Sequence, residues 1–437
     1  SWIYSKKPYR LTLDTEADLI GEGASTKWIL LANTIDASNL RNRIIYRLAD
    51  ETGNCWNPAT RYVDLYVNGE YRGLYLLSEN VEAGEGKLEL GADDVLMNWD
   101  LTSRIQDEVS ILNIFDSISA EICYPENISS QRLASIDREL KRVIDGIVSH
   151  DTDETSLQQE IDLDSWVWKY LIEEIFENYD AGACSMYFYI QDEKIYSGPV
   201  WDYDNTLGVS VHDNPACFLA QREWKDRNTP TPWFAALCDY TVFYDQVKET
   251  YQREFLPKLQ ELLEQGIEQQ YQTIAAASEM NAVRWQSGTT PQDAVEQLCT
   301  FLTQRIAFLN SAWIDGTVYW TICVQPDNSE QYRYYAVEDG GLFADLPDPE
   351  ELDMTNFVAW YDADTGEEFD PSQPITGDKI IYAVTAEAED GEEINEQETD
   401  ETSAGYLAAT GVLILALGVL IFLDCKRNRC GAKGDGK

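Results

Sequence analysis

Histidine is almost missing: the chain holds two, His150 and His212, both in polar surroundings. A zinc site built on imidazoles and a Ser-His-Asp triad are therefore poorly supported. Positive charge is scarce too. Lys and Arg total 32 against 78 Asp and Glu, a formal net charge of −46. That balance argues against a nucleic-acid partner, because phosphate backbones are held by Lys and Arg. The nine cysteines show no CxxC spacing, so neither a zinc ribbon nor a thioredoxin-type site is indicated. A signal peptide is lacking as well: the chain opens at Ser1-Trp2 and runs straight into patterned sequence, the expectation for a fragment that has lost its N-terminus.

What the chain does have is carboxylate in informative places. Asp180 follows a helical pattern in Glu177-Asn178-Tyr179-Asp180, and about twenty residues later comes Trp201-Asp202-Tyr203-Asp204. An acid at a helix end, followed by an acidic pair after a hairpin, is an economical way to build a metal–phosphate site. One Asp can accept a proton from an attacking hydroxyl, and hard carboxylate oxygens hold Mg²⁺ against phosphates. The plainer alternatives are an Asp that hydrogen-bonds a turn and a solvated acidic loop. Asp202 and Asp204 lie between Trp201 and an apolar strand, where unpaired buried carboxylates are costly, so a cation is expected beside them.

At 437 residues the chain is long enough for two or three units. The first ninety residues read as a strand-rich lobe. Tyr9–Leu13 alternates, Trp28–Leu31 is a short apolar run, and Leu40–Ala49 has helical spacing. Arg61–Val67 and Tyr71–Leu77 flank Asn68-Gly69, the strongest short hairpin signal. From about Ser129 the periodicity becomes helical, over Gln131–Val148 and Leu163–Glu177, with Asp162 or Asp164 as cap of the second. Tyr187–Ile190 and Lys194–Tyr196 read as a hairpin, followed by helices at Val242–Leu263, Ile267–Met280 and Pro291–Trp313, with Gly266 as a break. Val318–Thr385 reads as a compact β-rich module without a catalytic grouping.

Ala404–Leu423 is uncharged and apolar, the length needed to cross a bilayer as a helix. An acidic linker precedes it and Lys426-Arg427-Asn428-Arg429 follows. The positive-inside rule then makes the tail cytoplasmic and everything before Ala404 extracellular. The expected organisation is 1–315, 316–386 (the β module), 387–403 (linker), 404–423 (transmembrane helix) and 424–437 (basic tail).

Several segments together resemble the CotH kinase family. They are Ser1-Trp2 with Lys6-Lys7-Pro8-Tyr9-Arg10, Lys27-Trp28-Ile29-Leu30 leading to Asp36 and Leu40-Arg41-Asn42, and Val67-Asn68-Gly69-Glu70-Tyr71-Arg72-Gly73-Leu74-Tyr75 with Glu79. Asn178-Tyr179-Asp180 and Trp201-Asp202-Tyr203-Asp204 complete the set over about residues 1–315. The resemblance implies an α+β, atypical protein-kinase-like two-lobe domain that binds ATP with Mg²⁺ or Mn²⁺. It implies Asp180 as catalytic base, Asp202 as metal ligand, and Asp204 as helper or second ligand. Glu79 would orient a cation at the phosphates, Lys27 or Arg41. The family usually carries Asn five residues after the catalytic Asp, where this chain has Ser185. The β module resembles the Listeria–Bacteroides repeat, a β-grasp-like unit, through Leu346-Pro347, Phe357, Trp360-Tyr361, Thr365-Gly366-Glu367-Glu368-Phe369 and Tyr382-Ala383. The expectation is a bacterial, single-pass cell-surface kinase acting on Ser or Thr of a surface or secreted protein. A catalytically silent surface scaffold or adhesin is the alternative.

Overall fold

A computed structural model describes residues 4–386, apart from 22, 54, 106–110, 116–117, 211–212, 222–231, 326–331 and 344–355. The chain begins with β1 (Tyr9–Ala17) and β2 (Ser25–Leu31), then α1 (Arg41–Thr52), β3 (Thr60–Val67) and β4 (Glu70–Glu79). These four strands form an antiparallel sheet in the order β1-β2-β4-β3. Asn68 and Gly69 turn β3 into β4 with φ of 51° and 81°, the left-handed pair that a two-residue hairpin requires. Side chains alternate across this sheet. Trp28, Leu30, Tyr75 and Leu77 build a core on one face. Ile29, Leu31 and Leu76 cover the other, packed against Tyr62 and Trp201.

A second sheet follows, with β5 (Val95–Leu101), β6 (Ile111–Phe115) and β7 (Ile118–Tyr124). Helices α2 (Ser130–Val148), α3 (Glu154–Glu160) and α4 (Leu163–Ile175) come next, and the hairpin β8 (Met186–Gln191) and β9 (Lys194–Ser197) completes the sheet in the order β6-β7-β5-β8-β9. Of the two candidate caps of α4, Asp162 is the one used: its carboxylate accepts the Ser165 N–H at 3.0 Å.

The remaining helices are α5 (Trp233–Cys238), α6 (Thr241–Thr250), α7 (Leu256–Glu261), α8 (Ile267–Trp285) and α9 (Pro291–Trp313). Gly266 does not break the α7–α8 passage. Its φ of −65° and ψ of −42° are helical, and wide π-type turns at Tyr251–Phe255 and Leu262–Gly266 carry one rod from α6 to α8. Tertiary packing outweighs the roughly 1 kcal/mol propensity cost of one glycine. Last come β10 (Tyr319–Gln325), β11 (Arg333–Glu338), β12 (Phe357–Asp362) and β13 (Lys379–Thr385). They form a sheet ordered β11-β10-β13-β12 in which β10 and β13 run parallel, around its own core of Ile322, Val324, Trp360, Ile375 and Ile381.

The α+β class stands, but the membrane part of the expectation is corrected. Among the described residues no helix is long and apolar enough to cross a membrane. Even α9, at 23 residues, carries Asp293, Glu296 and Arg305. The transmembrane helix, the membrane as a partner and the extracellular–cytoplasmic placement are withdrawn; Ala404–Leu423, on which they rested, lies outside the described residues, as do 387–403 and 424–437.

Helix α8 lies on β4 at a glycine. Gly73 has φ of 113°, and a Cβ there would fall 2.5 Å from Asn281 Oδ1 and 2.8 Å from Trp285 Nε1. Both side chains hold the strand: Asn281 Oδ1 accepts the Leu74 N–H at 3.2 Å, and Trp285 Nε1 donates to the Arg72 carbonyl at 3.0 Å. Gly73→Ala combines a strained φ with a clash and is expected to cost roughly 2–4 kcal/mol. Urea denaturation of the two proteins measures this; equal midpoints would show that α8 yields freely.

Candidate active site

Asp180 sits in a turn built from the end of α4. The Asn178 N–H returns to the Glu173 carbonyl at 3.0 Å, and Asn178 Oδ1 accepts the Asp180 N–H at 3.1 Å. The Asp180 carbonyl accepts from Ala183 and Cys184 at 3.0 and 3.1 Å. Ser185 then takes φ of 53° before β8 begins. The second acid-bearing segment follows β9. Asp202 itself has φ of 63°, and its N–H reaches the Tyr46 hydroxyl at 3.3 Å, while the Tyr203 N–H donates to Asn42 Oδ1 at 2.7 Å. Tyr179 N–H to the Asn205 carbonyl (3.4 Å) and Leu207 N–H to the Phe176 carbonyl (2.9 Å) tie the two segments side by side.

The segments that carry Asp180, Asp202 and Asp204 thus run side by side, each acid partly buried, and two residues absent from the sequence expectation lie in the same charged neighbourhood. Asp100 ends β5. The antiparallel register that pairs Trp99 with Met186 carries one strand on to Asp100 and the other back to Ser185. Arg104 follows in a 3₁₀ turn, its Nη1 3.7 Å from Asp100 Oδ1. Burial pushes the Asp202 carboxyl up to about 6, with the negative charges of Asp180 and Asp100 adding to the rise and Arg104 opposing it. Burial likewise holds Asp204 well above the ordinary carboxylate range, reinforced by Asp202, Asp36 and Asp180. Asp100 is raised by burial as well, with Asp180 adding and Arg104 opposing. No spacing rule marks Asp100 or Arg104 from sequence; only the β5–β8 pairing places them.

The other expected residues lie apart. Arg41 is 4 % exposed and spends its guanidinium internally, on Asp36 Oδ1 (2.5 Å) and the carbonyls of Thr206 (2.8 Å) and Leu207 (3.0 Å). It therefore braces the acidic segment from behind. Glu79 is buried opposite Trp28. Its carboxylate accepts the Ala59 N–H at 3.0 Å, and burial raises it despite that bond. Lys27 faces Glu82 and Glu126 at 4.0 and 3.8 Å. Neither Lys27 nor Arg41 is within ion-pair distance of Glu79. Lys27 is on the sheet face shared by Ile29 and Leu31, the face that covers Trp201.

Among the described residues no group of three or more His, Cys, Asp and Glu is arranged to hold a metal ion. The donor set nevertheless fits Mg²⁺, which is usually held by one or two carboxylates together with substrate phosphates and water rather than by a protein cage. Burial, with neighbouring negative charge adding to it, raises Asp202 and Asp204, and a bound cation would offset both causes. A cavity of about 570 Å³ elsewhere, between Asp239 and Tyr244 and the β module's Trp320 and Lys379, contains none of these acids.

Charge crowding has a measurable consequence without any ligand. The folded Asp202 carboxyl, near 6, lies above its unfolded value, so the native state binds this proton more tightly. Its penalty is absent below about pH 4 and grows as pH rises through about 6. Asp202→Asn is therefore expected to raise the Tm of the metal-free protein at pH 7.5, by roughly 1–3 kcal/mol of stability, with the gain shrinking toward pH 4. A pH series of melting curves checks it, and a gain independent of pH would contradict the charge account.

A family model described as CotH kinase protein matches residues 1–309. No curated protein matches the chain. The family match ends before the β module, and the reading of 316–386 as a Listeria–Bacteroides-type repeat is withdrawn with it; Leu346-Pro347, part of that likeness, lies outside the described residues.

Proposed function

The chain belongs to the CotH kinase family, and from that premise we propose that it transfers the γ-phosphoryl group of ATP to a Ser or Thr hydroxyl of a protein. The observation that carries the reading is the pair of backbone hydrogen bonds, Tyr179 to Asn205 and Leu207 to Phe176, that sets the Asp180 turn beside the Asp202–Asp204 segment. Asp180, fixed by its own turn, accepts the proton of the attacking hydroxyl. Asp202 and Asp204 are the residues that would hold Mg²⁺ or Mn²⁺. When bound, that ion neutralises charge on the phosphates, which phosphoryl transfer chiefly requires. Lys27, partly exposed beside Glu82 and Glu126, has a freer cation to offer phosphate oxygens than the internally bonded Arg41. Glu79 anchors the Ala59 backbone at the end of the same sheet.

Transfer from labelled ATP with Mg²⁺ or Mn²⁺ tests this. Asp180→Ala is expected to lower kcat about 10²–10⁴-fold, the usual worth of a general base. Asp202→Ala is expected to abolish transfer at ordinary Mg²⁺ or Mn²⁺ concentrations. Undiminished transfer by the Asp180 variant would remove the base from the mechanism, and no transfer by the wild type to any hydroxyl acceptor would remove the kinase reading.

Ser185 occupies the position where the family usually has Asn, and its φ of 53° lies in a region that Asn adopts more readily than Ser. Ser185→Asn is therefore expected to fold normally and to lower the Mg²⁺ concentration needed for half-maximal transfer by roughly 3- to 10-fold, the added amide oxygen supplying a further ligand or water partner. A metal titration reads this directly; an unchanged or weaker metal requirement would place position 185 outside the ion's reach.

A further inference from the structure

Glu173 lies on α4 and is 2 % exposed. Its Oε1 accepts from the Tyr203 hydroxyl at 2.6 Å and from Lys169 Nζ at 2.8 Å. Its Oε2 accepts from Asn178 Nδ2 at 2.6 Å. Lys169 Nζ, 1 % exposed, also donates to the Tyr203 hydroxyl at 2.8 Å. Each arm ends on one acid-bearing segment. Asn178, held by Glu173 through side chain and backbone alike, accepts the Asp180 N–H. Tyr203, fully buried, stands between Asp202 and Asp204, and its own N–H is pinned by Asn42.

A buried ion pair is a weak source of stability, because apolar residues of the same volume are often as good or better. Here the polar atoms do something an apolar pair could not: the two oxygens of one carboxylate hold the two segments at a fixed separation. We infer that Glu173 is a positioning residue that sets the spacing of Asp180 from the Asp202–Asp204 segment, acting through Asn178 on one side and Tyr203 on the other. This rests on the phosphoryl-transfer reading for its catalytic consequence, but the mechanical link is independent of it. In-line transfer tolerates little misplacement, with an error of about 1 Å costing about 10²-fold.

The experiment uses the full chain with Glu173→Gln and Tyr203→Phe. Amide hydrogen exchange is followed at residues 178–181 and 202–206, alongside kcat and KM for ATP. Glu173→Gln is expected to raise exchange in both segments together, and to lower kcat roughly 100-fold while KM moves less than about 3-fold, the pattern of lost transition-state alignment. Tyr203→Phe keeps the Asn178 arm, so exchange rises mainly at 202–206 and kcat falls roughly 10-fold. If Glu173→Gln does not fold, Tyr203→Phe alone decides. Exchange that rises evenly over the chain, or kcat per folded molecule that stays at the wild-type level, would leave Glu173 a structural residue and overturn the inference. Wild-type protein without transfer would defeat the kinase reading only; the exchange pattern would still decide whether Glu173 links the two segments.

Discussion

Helix α4 must bury charge, and the family domain is arranged around that requirement. Every residue from Ser165 to Ile175 is buried, Lys169, Glu173 and Glu174 among them. An ion taken from water into such a setting costs several kcal/mol unless it is paired and hydrogen-bonded. Each charge therefore dictates a neighbour. Glu174 pairs with Arg305 of α9 and accepts the N–H groups of Leu219, Ala220 and Gln221 at 2.7, 2.7 and 3.2 Å. Arg305 in turn donates to the carbonyls of Glu174 and Cys217. Glu173 and Lys169 capture Tyr203 and Asn178. One helix thus fixes α9, the loop near residue 220 and both acid-bearing segments.

From the opposite side α1 performs a similar task with Arg41, Asn42 and Tyr46, which bond the backbone from Asp202 to Leu207. The candidate active site forms where these two buried polar anchors meet, under the sheet face that covers Trp201. Its carboxylates gain nothing from one another. Burial and mutual repulsion raise Asp100, Asp202 and Asp204 together, and Arg104 is the cation among them that partly offsets the field. The arrangement is held by the anchors rather than by attraction among the acids.

How much of this could be read in advance depended on how local the cause was. The Asn68-Gly69 turn, a cap at one of Asp162 and Asp164, and the periodic helices α2, α4 and α9 follow from interactions within a few residues, and the structure has them, with Asp162 as the cap. Strands β5 to β7 went unassigned because their apolar residues do not alternate cleanly with polar ones: β5 is buried at Val95, Leu96, Met97 and Trp99, as suits a strand covered on both faces. At Gly266 the local propensity to end a helix is overridden by packing, and the residue stays helical. Nothing near Arg41 in the sequence reveals that the carbonyls of Thr206 and Leu207 come to occupy it.

By itself, then, the sequence determined the kind of chemistry available: carboxylates rather than histidines, on a turn after a helix and a segment after a hairpin. Those are matters of composition and of hydrogen bonds between near neighbours. Tertiary structure decided which acids share a field, how far burial raises Asp202, that Asp100 and Arg104 belong to the cluster, and that Glu173 grips both segments. Each of these depends on desolvation and on contacts between residues distant in the chain. Such quantities exist only once the chain has packed and water has been removed from between the groups.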